Sequence, residues 1–258
     1  MTPNPNKEES PEIALDSLDA VIFDMDGVVT DTARVHAVAW KRLFDEYLTR
    51  HAERSGTPFE PFSTGDDYLK YVDGKSRHDG IESFLESRGI DIPRGQPGDG
   101  PEDETVYGLG NKKNQYFLDL LKEDGAKSYE TTVSFLVMLA ENGIRRGVIS
   151  SSRNCAEVLK TAGVDHLFET RVDGVDAGEL GLEGKPDPAI FLEAARRLHV
   201  EPARSAVIED ALSGVEAGRR GSFALVVGVD RVGQADALRE HGADIVVQDL
   251  SELRIRQP

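Results

Sequence analysis

Phe23-Asp24-Met25-Asp26-Gly27-Val28-Val29-Thr30-Asp31-Thr32 is the stretch on which the reading of this chain turns. It follows Leu18-Asp19-Ala20-Val21-Ile22, a short apolar run rich in β-branched residues, which predicts a buried strand. That strand delivers two carboxylates, Asp24 and Asp26, to its carboxyl end, and Gly27 lets the backbone turn sharply after them. In an open α/β sheet, ligands bind at this end of the strands. Two carboxylates so close repel each other unless a cation sits between them or one is protonated. Oxygen donors of this kind suit a hard divalent ion such as Mg²⁺. The alternative is an acidic turn that caps the following helix.

Working outward, Val35, Ala39, Leu43 and Tyr47, with Trp40 and Phe44 beside them, predict a helix to about residue 50. Residues 51–66 are polar and broken by Pro58 and Pro61, and residues 73–80 form a tight polar run. Helical patterns over 81–89 and 105–122 flank a Gly- and Pro-rich loop at 91–103. No strand is expected between residues 31 and 125, so this region reads as a helical insertion. Beyond it, strands at 146–149, 168–172, 206–208, 224–227 and 245–247 alternate with helices at 131–142, 154–162, 188–198, 215–219 and 235–241. A Gly-rich loop precedes residue 188. The alternation predicts an α/β fold, a Rossmann-like three-layer core with a mostly parallel sheet, interrupted by an inserted α-helical cap domain. The expected division is a disordered tail over 1–17, core segments 18–32 and 122–258, and a cap over 33–121.

The 258 residues carry 47 acidic and 30 basic side chains, a formal net charge of −17. Such a surface repels nucleic acid and anionic membranes, so neither is expected as a partner. An anionic substrate then needs a local cluster of positive groups and a metal. The single cysteine, Cys155, excludes an internal disulfide and fits a reducing compartment, so a cytoplasmic protein is expected. The first 16 residues lack the apolar run of a signal peptide, and no stretch approaches the ~20 apolar residues of a membrane span. We expect a monomer.

Four strand or loop ends carry polar groups: Asp24 with Asp26, Ser150, Lys185, and Glu209 with Asp210. Parallel strands bring such ends to one edge, and the set amounts to a phosphoryl-transfer site. Asp24 can attack phosphorus to give an aspartyl-phosphate. A metal held by Asp24 and the distal acidic pair would offset the approaching negative charge. Lys185 and the Ser150 hydroxyl would hold phosphoryl oxygens, and Asp26 is placed to move a proton. Each member has a plainer role open to it. Ser150 or the Glu209-Asp210 pair could cap a helix, and Lys185 could be a solvated loop residue.

Asp24-Met25-Asp26-Gly27-Val28-Val29-Thr30-Asp31-Thr32, Val148-Ile149-Ser150-Ser151-Ser152, Gly184-Lys185-Pro186-Asp187-Pro188 and Ile208-Glu209-Asp210 together resemble the haloacid dehalogenase-like superfamily. The resemblance implies Asp24 as nucleophile and Asp26 as general acid/base. It also implies Mg²⁺ on Asp24, the Asp26 carbonyl and Asp210, with Glu209 nearby. Within that superfamily, residues 32–41, Asp73-Gly74-Lys75-Ser76-Arg77 and Lys112-Lys113-Asn114 resemble the β-phosphoglucomutase family. That likeness implies Thr32 at a cap hinge, His36 positioning the acid/base, Trp40 and Gly74 lining a sugar site, and Arg77 gripping a second phosphate. It implies too that Lys113 reaches the sugar and the acid/base, and that Ser151, Ser152, Arg153 and Asn154 belong to the substrate site. Against these stand cap packing for Trp40 and His36 and a solvated turn for Arg77. Gly80 stands where that family often carries Ser, and residues 51–66 and 91–104 are longer. The expected activity is interconversion of β-D-glucose 1-phosphate and glucose 6-phosphate through a 1,6-bisphosphate. A phosphatase of the same fold and a non-catalytic phospho-acceptor domain are the alternatives.

Overall fold

Alternate residues of the first long strand point to opposite sides, and both sides are apolar. The computed structural model describes residues 11–256. Strand β1 (Glu12–Ala14) precedes β2 (Ala20–Asp24), and the helices α1 (Ala33–Ser55), α2 (Arg77–Ser87) and α3 (Val106–Asp124) follow. Then come α4 (Glu130–Glu141), β3 (Arg145–Ile149), α5 (Cys155–Thr161), β4 (Thr170–Val172), α6 (Gly174–Leu180) and α7 (Ala189–Leu198). The chain ends with β5 (Ser205–Glu209), α8 (Leu212–Arg220), β6 (Leu225–Val229), α9 (Ala235–Glu240), β7 (Ile245–Val247) and β8 (Arg254–Arg256).

Six strands form one sheet in the order β4-β3-β2-β5-β6-β7, every pair parallel. Val21 and Phe23 face Phe135, Leu136 and Leu139 of α4 and Val158 of α5. Ala20 and Ile22 face Ile190, Phe191 and Ala194 of α7. Burial on both faces is what a parallel sheet between two helical layers requires. The fold is therefore the α/β, Rossmann-like arrangement expected. The register sets Asp24 beside Ile149 and Phe23 beside Ile208, so Ser150 and Glu209 emerge level with Asp24 at the carboxyl edge.

The helices α1–α3 form an apolar cluster of their own, in which Trp40, Leu43, Phe44 and Tyr47 meet Phe62, Phe84, Val106 and Leu109. The Phe84 ring lies 4.2 Å from that of Phe44 and, edge to face, 5.0 Å from that of Phe62.

Several boundaries differ from the sequence expectation. Helix α1 runs on to Ser55 and stops where Gly56 turns left-handed. Helix α2 begins at Arg77 because the Ser76 hydroxyl accepts the Asp79 N–H as an N-cap. Residues 174–180, expected as loop, form α6, opened by a capping box between Asp173 and Asp176. The disordered tail expected over 1–17 is corrected in its second half. Strand β1 pairs parallel with β8, and Ile13 and Leu15 are buried in the main core. Those two apolar side chains were masked by the polar composition around them. Residues 1–10 lie outside the described residues. Among the described residues, no helix is long and apolar enough to cross a membrane.

Phe84→Ala removes a fully buried ring from the centre of the α1–α3 cluster. Urea unfolding followed by circular dichroism should register a loss of about 3–5 kcal/mol.

Candidate active site

Lys185 is a buried charge held between two carboxylates. Its ammonium lies 2.5 Å from Asp24 Oδ1 and 2.5 Å from Glu209 Oε1, and its side chain is 1% exposed. Burial alone would push this lysine down, but Asp24 and Glu209 hold it up. Glu209 is fully used, since its second oxygen accepts the Ala211 N–H at 2.7 Å. Asp24, Glu209 and Asp210 each present a carboxylate oxygen within 4.8 Å of the others. Burial raises Asp24 and Asp210 well above the usual carboxylate range. Lys185 opposes this at both sites, and the neighbouring carboxylates add to it.

Three carboxylates against one ammonium leave excess negative charge, and all the donors are hard oxygens. The cluster can therefore hold a metal ion, and its chemistry fits a hard divalent one. Gly27 makes room for it. Its φ is +83°, and a Cβ there would fall 1.7 Å from Asp210 Oδ2.

Asp26 turns the other way, toward the insertion, so its side chain is not part of that cluster. Thr32 Oγ1 donates to Asp26 Oδ1 at 2.5 Å, and Ser150 Oγ donates to Oδ2 at 3.2 Å. Behind Thr32 the Thr30 hydroxyl completes a chain at 2.6 Å. In this structure the Ser150 hydroxyl, expected at phosphoryl oxygens, anchors Asp26. Nor is it a cap, because α5 begins after Asn154 without any side-chain cap.

Although burial works against ionisation, His36, Thr32 and Ser150 bring Asp26 down to about 2. His36 Nε2 is 3.5 Å from Asp26, and Lys113 Nζ is 2.6 Å from His36 Nδ1. Burial and the Lys113 charge lower His36, which conflicts with treating it as a full cation beside Asp26. The geometry favours the neutral ring. Nδ1 accepts from Lys113, which leaves Nε2–H directed at Asp26. The two hydroxyls then carry most of the stabilisation of ionised Asp26. Lys113 itself is pushed well down by burial and by Arg77, and sits 4.9 Å over the Trp40 ring.

A second concentration of positive charge lies at Arg77. Its guanidinium donates to Gly110 O at 3.3 Å and to Asn114 Oδ1 at 2.7 Å. Asn154 donates to the same Asn114 oxygen at 2.8 Å, tying insertion to core. Burial and the charge of Arg153 lower Arg77 to about 10. Among the described residues neither guanidinium has a carboxylate partner, so Arg77 is no solvated turn residue.

Asp24, Asp26, His36, Trp40, Gly74, Arg77, Lys113, Ser151, Ser152, Arg153, Lys185 and Asp210 all border one chamber of about 940 Å³. Thr32, Ser150, Asn154 and Glu209 stand behind its wall, each bonded to a residue that faces inward or to Asn114. Trp40 both packs in the insertion and lines the chamber. Gly80 lies against it, and a Cβ there would come 3.3 Å from the indole. The chamber is closed by two clasps from the core: Ser151 Oγ donates to Gly74 O at 2.8 Å and Ser213 Oγ to Asp73 O at 3.2 Å. Gly74, at φ +70°, could bear no Cβ so close to Ser213.

The sequence reading missed Thr30, Tyr68, Asp73, Asn114 and Ser213. Asn114 follows Lys113 in a quoted motif and could have been found by that adjacency. The others carry no signal until the chain is folded.

The chain belongs to the haloacid dehalogenase-like hydrolase family, whose model matches residues 18–221. It is 52% identical over 237 residues to a β-phosphoglucomutase of Mycobacterium bovis, covering 91% of this chain and 90% of that one. A Bacillus subtilis β-phosphoglucomutase is 34% identical over 244 residues, covering 92% of each. The crystal structure of a β-phosphoglucomutase from Clostridium difficile superposes with a TM-score of 0.70 at 28% identity, covering 91% of this chain and 92% of that one.

Lys185→Met leaves Asp24 and Glu209 buried without their counter-charge. Thermal and urea unfolding in metal-free buffer should show a loss of about 3–5 kcal/mol.

Proposed function

We propose that the protein is a β-phosphoglucomutase, interconverting β-D-glucose 1-phosphate and glucose 6-phosphate through an aspartyl-phosphate on Asp24 and a glucose 1,6-bisphosphate intermediate. The observation that carries this reading is the half-buried Arg77 beside Arg153, without a carboxylate partner among the described residues, in a chamber that already has Lys185 at Asp24. A phosphatase acting on a monophosphate needs one anion site. A bisphosphate needs two, and a planar guanidinium offers a bidentate fork for the second. The identity to the Mycobacterium bovis enzyme supports the same reading.

In this proposal Asp24 attacks phosphorus and the sugar–oxygen bond to phosphorus breaks. Asp26, ionised at rest, takes the proton of the sugar hydroxyl that receives the phosphoryl group from Asp24, and returns it to the sugar oxygen that leaves when Asp24 takes the phosphoryl group back. The Thr32 and Ser150 hydroxyls fix both of its oxygens, and His36, steadied by Lys113, faces the reacting edge. Lys185 keeps Asp24 in line for attack. Mg²⁺, held by Asp24, the Asp26 carbonyl and Asp210, with Glu209 near, would supply positive charge against the phosphoryl oxygens. Residues 33–121 act as the cap that excludes water, with Thr32 at its hinge and the Ser151 and Ser213 clasps holding it shut. Trp40, Gly74 and Ser152 line the sugar chamber. We further read the protein as a cytoplasmic monomer that acts on a small sugar phosphate.

Phosphorus NMR with β-glucose 1-phosphate, Mg²⁺ and a trace of 1,6-bisphosphate tests the proposal. Glucose 6-phosphate should accumulate; inorganic phosphate alone would mean a phosphatase. Asp24→Asn should lower turnover by at least roughly 1000-fold. Arg77→Ala should cost about 100-fold in mutase kcat/KM, near 2.7 kcal/mol, and a phosphatase would be almost indifferent to it.

A further inference from the structure

A second cavity of about 510 Å³ opens at the root of the helical insertion and shares a wall with the substrate chamber. Only Tyr68, Asp73 and Asp210 border both. Asp210 belongs to the core cluster of carboxylates, whereas Asp73 arrives from the insertion. Its seat is defined by the main chain. The Asp73 N–H donates to Tyr68 O at 3.0 Å, closing the wide turn over Tyr68–Val72. The Ser213 hydroxyl donates to Asp73 O, and the Ser151 hydroxyl to the next carbonyl, Gly74 O. Fastening this loop to the core therefore seats Asp73 at the wall that Asp210 also borders.

At that meeting point the charge is lopsided. Asp24, Glu209 and Asp210 cluster about a single ammonium, Lys185, and Asp73 adds a further carboxyl at the wall it shares with Asp210. Of the neighbouring charges, Asp73 acts on Asp210 more strongly than Glu209 or Asp24 does. Among the described residues Arg34 and Arg231 border the second cavity, but Arg34 pairs with Asp124 and Arg231 is bonded to Gly27 O and Gln248 O. Bringing a fourth carboxylate to three others is unfavourable unless a cation or a proton arrives with it.

We propose that Asp73 makes closure of the cap conditional on a bound divalent cation. With the core site loaded, Asp73 is drawn toward Asp210 and the loop fastens; with it empty, Asp73 holds the loop off. By linkage, closure must tighten the cation in the same measure. The proposal rests on the cap and cation of the preceding reading, not on which sugar phosphate is processed.

The test uses the full chain carrying spin labels at Glu53→Cys and Glu240→Cys, both exposed; the native Cys155 is buried and escapes labelling. Pulsed dipolar distances are recorded in EDTA and in Mg²⁺, and Mg²⁺ affinity is measured by calorimetry. The parent chain should shift to the closed distance only with Mg²⁺. Asp73→Asn should populate that distance in EDTA and bind Mg²⁺ roughly 5- to 20-fold more weakly. Asp73→Glu should restore the metal dependence. Unchanged distances and affinity in Asp73→Asn would overturn the proposal, even if that variant bound sugar phosphate poorly. So would a parent chain that binds no Mg²⁺. Metal-dependent closure without phosphoryl transfer would instead count against the mutase reading alone.

Discussion

Placing an ammonium between two carboxylates inside a protein is costly to desolvate, and it is tolerated only where every lone pair and proton is answered. Lys185, Asp24 and Glu209 meet that condition, with Glu209 completed by the Ala211 N–H. The rest of the molecule can be understood as what keeps the three in register. Parallel pairing of β2 with β3 and β5 sets the carboxyl ends level, and helices on both faces exclude water from them. Asp24 is held by a cation from a distant loop, so its carboxyl is positioned before any ligand enters.

Asp26 plays the complementary part, as the joint between core and insertion. One oxygen answers to Thr32, where α1 starts, and the other to Ser150, at the end of β3. His36, from the insertion, approaches it from the substrate side. Two carboxylates separated by one residue thus serve two halves of the structure. Two residues apart on a continued strand they would share a face; they part because β2 ends at Asp24 and the chain turns past it, and their environments push their ionisation apart. Arg77, Asn114 and Asn154 repeat the bridging of insertion to core at a second point.

Much of this was legible in the chain itself. The run from Phe23 to Thr32 declares a strand, a turn and a helix in ten residues, and Ser150, Lys185 and Glu209-Asp210 sit at predicted ends of later elements. What the residues could not tell was partnership. Nothing local says that the Ser150 hydroxyl meets Asp26, 124 positions away. Nothing local says that Glu209 answers to Lys185 and the Ala211 N–H. Asp73 opened a quoted motif without a role of its own, and Tyr68 stood in none. The ordering of residues 12–17 escaped notice because Ile13 and Leu15 are two apolar side chains in a polar neighbourhood, and they gain burial only from strands near the other end of the chain.

The two long helices of the insertion each have a foot in both apolar clusters. Val35 and Ala39 of α1, and Phe117 and Leu121 of α3, pack with the core, while Trp40, Leu43, Val106 and Leu109 pack in the insertion. A helix of 19 residues is nearly 30 Å long, so α3 works as a stiff lever rooted in the sheet's own packing. Any swing of the insertion is geared at those roots: a small slip of Phe117 against the core sweeps the opposite tip through a far larger arc. His36 and Lys113, which lie along these helices close to the residues rooted in the core, would be displaced least by such a swing.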